Sequence, residues 1–503
     1  MSKVLIFSHV PLWGVHHAEA IEIACELEAK GKEVFVLSCV GDLLSCPANP
    51  YHINHLCRIC RNQTDYSKQK NFPSTVTHLK LNLSSKVVMP EIPACASDFE
   101  NFVYQEVPIG RLVISQLVDD SRDIVVTDAL IQHRGKLLAR NAIQLFETTK
   151  QLMVDLGIAE VYVWNGRRGS DGPVLYAAQS IGCKAVAFIS GSTPEKLFSI
   201  EALGVHSISA TRNAILRKTE EFESASEDAE MDKQAELFYR QRQFGGGLAY
   251  GDAWFGSSFQ SNQKPFFDQT RKIHVAIFTS SFWEFVGSPE RTDMPSEFYN
   301  PYTLLERICR DEDILDKCEV IVRWHPNLTT AGKNELRMVK QCIDSTPEVN
   351  HILPKSDTDS YELMEEADVI LTTGSTMGIE AAFRGKPSVL AGLANYSGLG
   401  SVYEPASYPE LVALLTGYLE PLPKHGATRY GAWFYSYGNP YRFLAFNKTL
   451  KQYERAGNPI EAPLPYSEIP NALIFHFART VKHPLSTISM MRRQFLLRIG
   501  RKS

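Results

Sequence analysis

The sequence contains no run of about 18 apolar residues, so no membrane-spanning helix is expected. Its net charge is only −5 over 503 residues, too weak to point to nucleic acid as a partner. Met1-Ser2-Lys3-Val4-Leu5-Ile6-Phe7 runs straight into a strand pattern and lacks the layout of a signal peptide, which makes the cytoplasm the expected compartment. There the 10 cysteines should be reduced, and a cluster among them points to metal rather than to disulfides. No internal repeat is visible. No Gly-x-Gly-x-x-Gly follows the first strand, so the dinucleotide-binding fingerprint is absent.

What is present is enough apolar residue, 44%, to bury a large core in at least two domains. Residues 1–215 read as a first α/β domain. Val4 to Ser8 is a buried strand. A loop with His9, Pro11, Trp13, Gly14, His16 and His17 follows, then a helix from Ala18 to Lys30 and a strand from Glu33 to Cys39. This is a βαβ opening with the right-handed crossover of a parallel sheet. Further strands are expected at Asp123–Val126, Val161–Trp164 and Lys184–Phe188, with helices at Arg140–Leu156 and Gly172–Ser180. Residues 216–270 read as a connector with one or two helices, its acidic run Glu220–Glu230 a solvated face. A second α/β domain spans 271–440, opening on the strand His274–Ser280 with the Ser280–Glu284 loop at its carboxyl end. Residues 441–503 end in a basic tail, Ile488–Lys502. There Met490, Met491, Phe495, Leu496 and Leu497 are interleaved among arginines; the tail suits an acidic membrane surface or docking on the protein itself.

The stretch Asp368–Leu390 organises the second domain. Val369-Ile370-Leu371 reads as a buried parallel strand, Thr372-Thr373-Gly374-Ser375-Thr376 as a turn, and the residues around Ile379, Ala382 and Phe383 as an amphipathic helix. Strand, glycine turn and helix in that order present backbone N–H groups to an anion at the carboxyl edge of a sheet. The same residues also fit an ordinary turn capped by Ser375 or Thr376. Upstream, Val320-Ile321-Val322-Arg323-Trp324-His325-Pro326-Asn327 is a strand that ends at Pro326, with Arg323 offering a bidentate fork suited to phosphate.

Cys39, Cys46, Cys57 and Cys60 stand as C-x6-C-x10-C-x2-C in one loop. Four thiolates with a close pair match a tetrahedral structural zinc, although the spacing is not that of a standard finger and four unrelated thiols would look the same. His52 and His55 are substitute ligands within the loop. Asn165-Gly166-Arg167-Arg168-Gly169 follows a strand directly. Gly166 permits a tight turn and Arg167 presents a cation, or the arginines are simply solvated.

The pieces RWHPN and SDTDSYELMEEADVILTTGSTMGIEAAFRGKPSVL resemble the carboxyl-terminal half of the capsular-polysaccharide family of GT-B glycosyltransferases. The resemblance is dense over roughly Val320–Gly392 and thins outside it. It implies two Rossmann-like domains facing across a cleft. It implies a nucleotide-sugar donor held by Gly374, Ser375 and Thr376, with Arg323 and His325 neutralising the leaving group and Glu380 on the ribose hydroxyls. It also implies that the Asn165-Gly166-Arg167 turn faces the interdomain cleft, with Arg167 presenting a cation to the acceptor or to a phosphate, and some relatives carry the four-cysteine pattern. The strand ending Phe188-Ile189-Ser190-Gly191 lacks the acidic residue often found there. No Asp-x-Asp stands in a suitable place, so no catalytic divalent metal is expected. The first domain should hold a glycan or lipid-linked acceptor and supply a base, with His16 preferred over Glu19 and Asp128. A sugar-nucleotide 2-epimerase or a polyol-phosphate transferase of the same architecture, and a non-enzymatic carbohydrate-binding scaffold, are the alternatives.

Overall fold

The computed structural model describes residues 2–224, 227–244, 265–268, 272–280, 286–288, 290–291 and 294–462. The basic tail 488–502, the 255–263 stretch and most of the Ser280–Glu284 loop lie outside them. The chain forms two compact units. The first comprises Met1–Asp120, Thr127–Val205 and Gly438–Ser503, the second Ser121–Val126 and His206–Tyr437.

In the first unit, β1 (Lys3–Ser8), β2 (Glu33–Ser38), β3 (Thr77–Lys80), β4 (Glu160–Trp164), β5 (Lys184–Ser190), β6 (Lys196–Glu201) and β12 (Asn439–Pro440) make one sheet in the order β12-β6-β5-β4-β1-β2-β3. The five strands from β3 to β5 are parallel, and β6 and β12 add antiparallel strands at one edge. Strand β1 buries every residue from Val4 to Ser8, as a strand covered on both faces must. A small antiparallel sheet of β13 (Ala445–Asn447), β14 (Gln452–Arg455) and β15 (Asn458–Pro459) belongs to the same unit. Its segment is fastened by Glu22. That carboxylate, fully buried, accepts from the backbone N–H groups of Arg442, Phe443 and Leu444 at 2.5, 3.2 and 3.0 Å.

In the second unit, β7 (Ile273–Phe278), β8 (Cys318–Arg323), β9 (Asn350–Ile352), β10 (Val369–Thr372) and β11 (Ser388–Leu390) form an all-parallel sheet in the order β11-β10-β7-β8-β9. Alternate residues feed two cores. Val275, Ile277, Val320, Val322, Val369 and Leu371 pack on one face, and Ala276, Phe278, Ile321 and Ile370 on the other. Both sheets therefore share the 3-2-1-4-5 order of a doubly wound fold. Each changes winding direction between its first and fourth strands, β1 and β4 or β7 and β10, and ligands bind outside the carboxyl ends at such a point.

Several expected elements differ. The first helix is Gly14–Ala29, so His16 and His17 lie in its first turn and not in a loop. It begins early because the Trp13 carbonyl already accepts from the His17 N–H at 2.9 Å. Asp123–Val126 is not a strand. Its Asp123 carboxylate instead accepts from Val125 N and Asn334 N at 3.1 and 2.9 Å, which ties the segment to a helix start at Lys333. The connector helices Ile208–Ser224 and Asp228–Phe244 belong to the second unit. Asp228–Phe244 lies against His425–Ser436 so closely that a Cβ on Gly431 would stand 2.6 Å from the Tyr239 ring.

Candidate functional site

At the carboxyl end of β10 the chain turns through Thr373, Gly374 and Ser375 into the short helix Met377–Phe383. Gly374 has φ +126°, and a Cβ there would meet the Leu393 carbonyl at 2.5 Å, so no other residue fits without moving the backbone. Tyr396 underpins the turn, its hydroxyl 2.6 Å from Ser375 O and 3.1 Å from Thr372 Oγ1. The Ser375 hydroxyl accepts from Met377 N at 3.3 Å, which is the capping role open to it from sequence. The buried Thr373 hydroxyl has no hydrogen-bond partner among the described residues.

Arg323 makes none of its hydrogen bonds to this turn. It is 2% exposed, and its Nη1 donates to Leu353 O at 2.6 Å and to Trp324 O at 3.4 Å, while Nη2 donates to Ser356 O at 3.2 Å. The expected phosphate ligand is therefore a brace for the 353–356 loop, since carbonyls of its own chain meet the fork first. Glu380 is likewise committed. It is 1% exposed, with Oε1 2.6 Å from Arg242 Nε and Oε2 2.6 Å from the Tyr361 hydroxyl, which leaves the expected ribose contact without an open approach. His325 is half-buried. Its Nδ1 accepts from Asn327 N at 3.1 Å, which puts the proton of the neutral ring on Nε2. Burial, then the neighbouring Arg323 and Arg242 charges, push its pKa down to about 4, so it is a neutral donor at pH 7.

Arg242 is the residue that sequence reading missed. It comes from the Asp228–Phe244 helix, and its Nη2 donates to Thr376 Oγ1 at 2.5 Å. The helix is held in place by Tyr239, stacked on Phe383 with centroids 4.2 Å apart and donating to Ala427 O at 2.7 Å.

In the first unit, the carboxyl ends of β1 and β4 gather His9, Trp13, His16 and Trp164. The His16 ring lies 4.3 Å from Trp164, and His16 Nδ1 is 3.0 Å from Glu19 Oε2. Glu19 is fully buried, and its other oxygen accepts from the Ser190 hydroxyl. This carboxylate from the first helix thus lies against Ser190 at the end of β5. Asn165 and Gly166 both have positive φ, +66° and +88°, and a Cβ on Gly166 would stand 2.4 Å from Leu175. The Arg167 Nη2 donates to Asp119 at 3.0 Å and the residue is 7% exposed, so it is neither solvated nor presented outward. Arg168 pairs with the same carboxylate at 2.6 Å. Asp128 is exposed and accepts from Ala96 N at 2.8 Å, away from this group.

Cys39, Cys46, Cys57 and Cys60 come close enough for their charges to act on one another. Burial first, then Cys39 and Cys57, push the Cys46 thiol up to about 12. No group of three or more His, Cys, Asp or Glu side chains among the described residues is arranged to hold a metal ion. The expected structural zinc therefore has no preformed ligand set. Asn49 donates to Cys57 Sγ at 3.2 Å and Gly41 N to Cys39 Sγ at 3.4 Å, so two of these sulfurs are engaged within the protein. A separate cavity of about 630 Å³ beside β3 is lined by Lys80, Lys86, Tyr104 and Glu147 and by none of the expected site residues.

No helix among the described residues is long and apolar enough to cross a membrane. No curated protein matches the chain in sequence. Among solved structures, the chain is similar to the β-Kdo 2,4 transferase KpsC of Thermosulfurimonas dismutans, with 16% identity over 63% of this chain and 88% of that one and a TM-score of 0.33. It is similar to the β-Kdo 2,7 transferase KpsC of the same organism, with 13% identity over 65% and 89% and a TM-score of 0.35. It is also similar to a UDP-GlcNAc 2-epimerase from Neisseria meningitidis bound to UDP-GlcNAc, with 12% identity over 86% and 99% and a TM-score of 0.21. Residues 294–409 match the family model described as capsule polysaccharide biosynthesis protein, so the segment bearing β8 to β11 and the Gly374 turn is similar to proteins of that family.

Proposed function

We propose that the protein is a glycosyltransferase that moves a sugar from a nucleotide-sugar donor to a growing surface polysaccharide. The observation that carries this reading is the Thr372–Thr376 turn at the winding reversal of the second sheet, inside the one segment with a family match. The second unit binds the donor there, with His325 donating from Nε2 to the departing phosphate. The first unit serves the glycan or lipid-linked acceptor. His16 is its base: the Nδ1–H bond to Glu19 leaves the Nε2 lone pair to take the acceptor hydroxyl's proton. The acceptor oxygen then bonds to the anomeric carbon as the bond from that carbon to the phosphate oxygen breaks. Phosphate charge is met by protein groups without a divalent ion. The basic tail 488–502 provides peripheral contact with the inner face of a membrane.

The test is a panel of nucleotide sugars, read first by thermal stabilisation and then by product formation with and without a glycan acceptor. A transferase consumes donor only when acceptor is present, and chelation by EDTA leaves its rate unchanged. An isomerised sugar nucleotide from donor alone would replace this reading by an epimerase.

A further inference from the structure

We infer that Arg242 is the cation that receives the donor's phosphate at the Gly374 turn, held in position for it by Glu380; this rests on the nucleotide-sugar reading above. The family segment begins at residue 294, so nothing in it points to Arg242. The geometry does. The guanidinium is fixed along its Nε edge by Glu380 at 2.6 Å, and its Nη2 lies against the Thr376 hydroxyl at 2.5 Å, where the turn passes into the helix. Glu380 is in turn held by Tyr361 at 2.6 Å and is 1% exposed, so it supports the arginine rather than meeting solvent. The Arg242 side chain keeps 19% of its surface open, whereas Arg323 is 2% exposed and spent on carbonyls.

Three further polar groups belong to the turn or lie near Arg242. The neutral His325 ring carries its proton on Nε2 and lies within electrostatic range of Arg242. The Thr373 hydroxyl, 4% exposed, lacks a partner among the described residues. Thr376 offers a hydroxyl already oriented by the guanidinium. A planar fork beside hydroxyl and imidazole donors fits the oxygens of a phosphate, and a neutral sugar would not call for it.

Isothermal titration of the full chain with inorganic pyrophosphate, UDP, GDP and CMP tests the inference. Wild type is expected to bind at least one of them. Arg242→Ala should weaken that binding by about 100-fold, and Arg242→Lys, which keeps the charge but loses the fork, by about tenfold. The lysine variant decides the matter if the alanine variant does not fold, which circular dichroism establishes. Arg242→Lys within twofold of wild type would overturn the role given to Arg242 and leave the donor reading standing. Failure of wild type to bind any of the four would overturn both.

Discussion

Arg242 Nε stands 2.6 Å from Glu380 Oε1, a contact between residues 138 positions apart in the chain. It joins a helix that reads as linker to the helix that follows the glycine turn. Glu380 accepts from both Arg242 and Tyr361. Removing it leaves a largely buried guanidinium and a buried hydroxyl without their acceptor. Glu380→Ala should therefore lower unfolding stability by roughly 3–5 kcal/mol. Urea denaturation checks this, and a loss under about 1 kcal/mol would mean that the pair is dispensable.

Arg323 holds the backbone of residues 353–356 through carbonyls and is 2% exposed. Arg323→Ala should act on folding first, with a loss of about 3 kcal/mol or more as the carbonyls lose a charged donor. A variant of unchanged melting point with a large rise in donor KM would restore Arg323 to direct ligand contact.

Glu19 touches His16 and Ser190 and has no exposed surface. Glu19→Gln keeps the shape but offers an amide where the imidazole needs an acceptor. We expect kcat to fall about 100-fold or more with donor KM little changed. An equal fall in kcat for Ser190→Ala would show that the serine matters as much as the carboxylate. Unchanged kcat in Glu19→Gln would remove His16 from the role of base.

His17 is buried with Nε2 2.7 Å from the Ser67 hydroxyl, and burial, then His78, lower its pKa to about 3. Its folded pKa lies below the unfolded value of about 6.5, so the unfolded chain takes the proton first as pH falls. The stability is fully present above pH 6.5 and is lost progressively as pH drops from there toward 3. Unfolding free energies from urea denaturation at pH 7.5 down to pH 4.5 should decline by about 2–3 kcal/mol, and the decline should be shallower in His17→Gln.

The strands of the second sheet were legible because parallel strands buried on both faces must be continuous apolar runs, as in Val320-Ile321-Val322 and Val369-Ile370-Leu371. Strand β3, Thr-His-Leu-Lys, escaped because it is a four-residue edge strand with two exposed residues. Asp123–Val126 looked like a strand from its apolar residues, but the Asp123 carboxylate bonds Val125 N and so turns the chain locally. At the site, residue types pointed to Gly374, whose backbone angle no other residue adopts cheaply. Side-chain direction was not legible. Arg323 and Arg242 are the same residue type, and only the fold determines which meets carbonyls and which meets Thr376.

The fastening of residues 442–444 by Glu22 bears on how this protein is made. The first unit draws its last strands from beyond Gly438, whereas the second, apart from Ser121–Val126, is one contiguous stretch ending at Tyr437. On the ribosome the amino-terminal sheet emerges early, yet its Glu22 carboxylate lacks these three donors until the chain is nearly finished. A fragment stopped at residue 205 would share that defect permanently, while the later-born half could fold ahead of it.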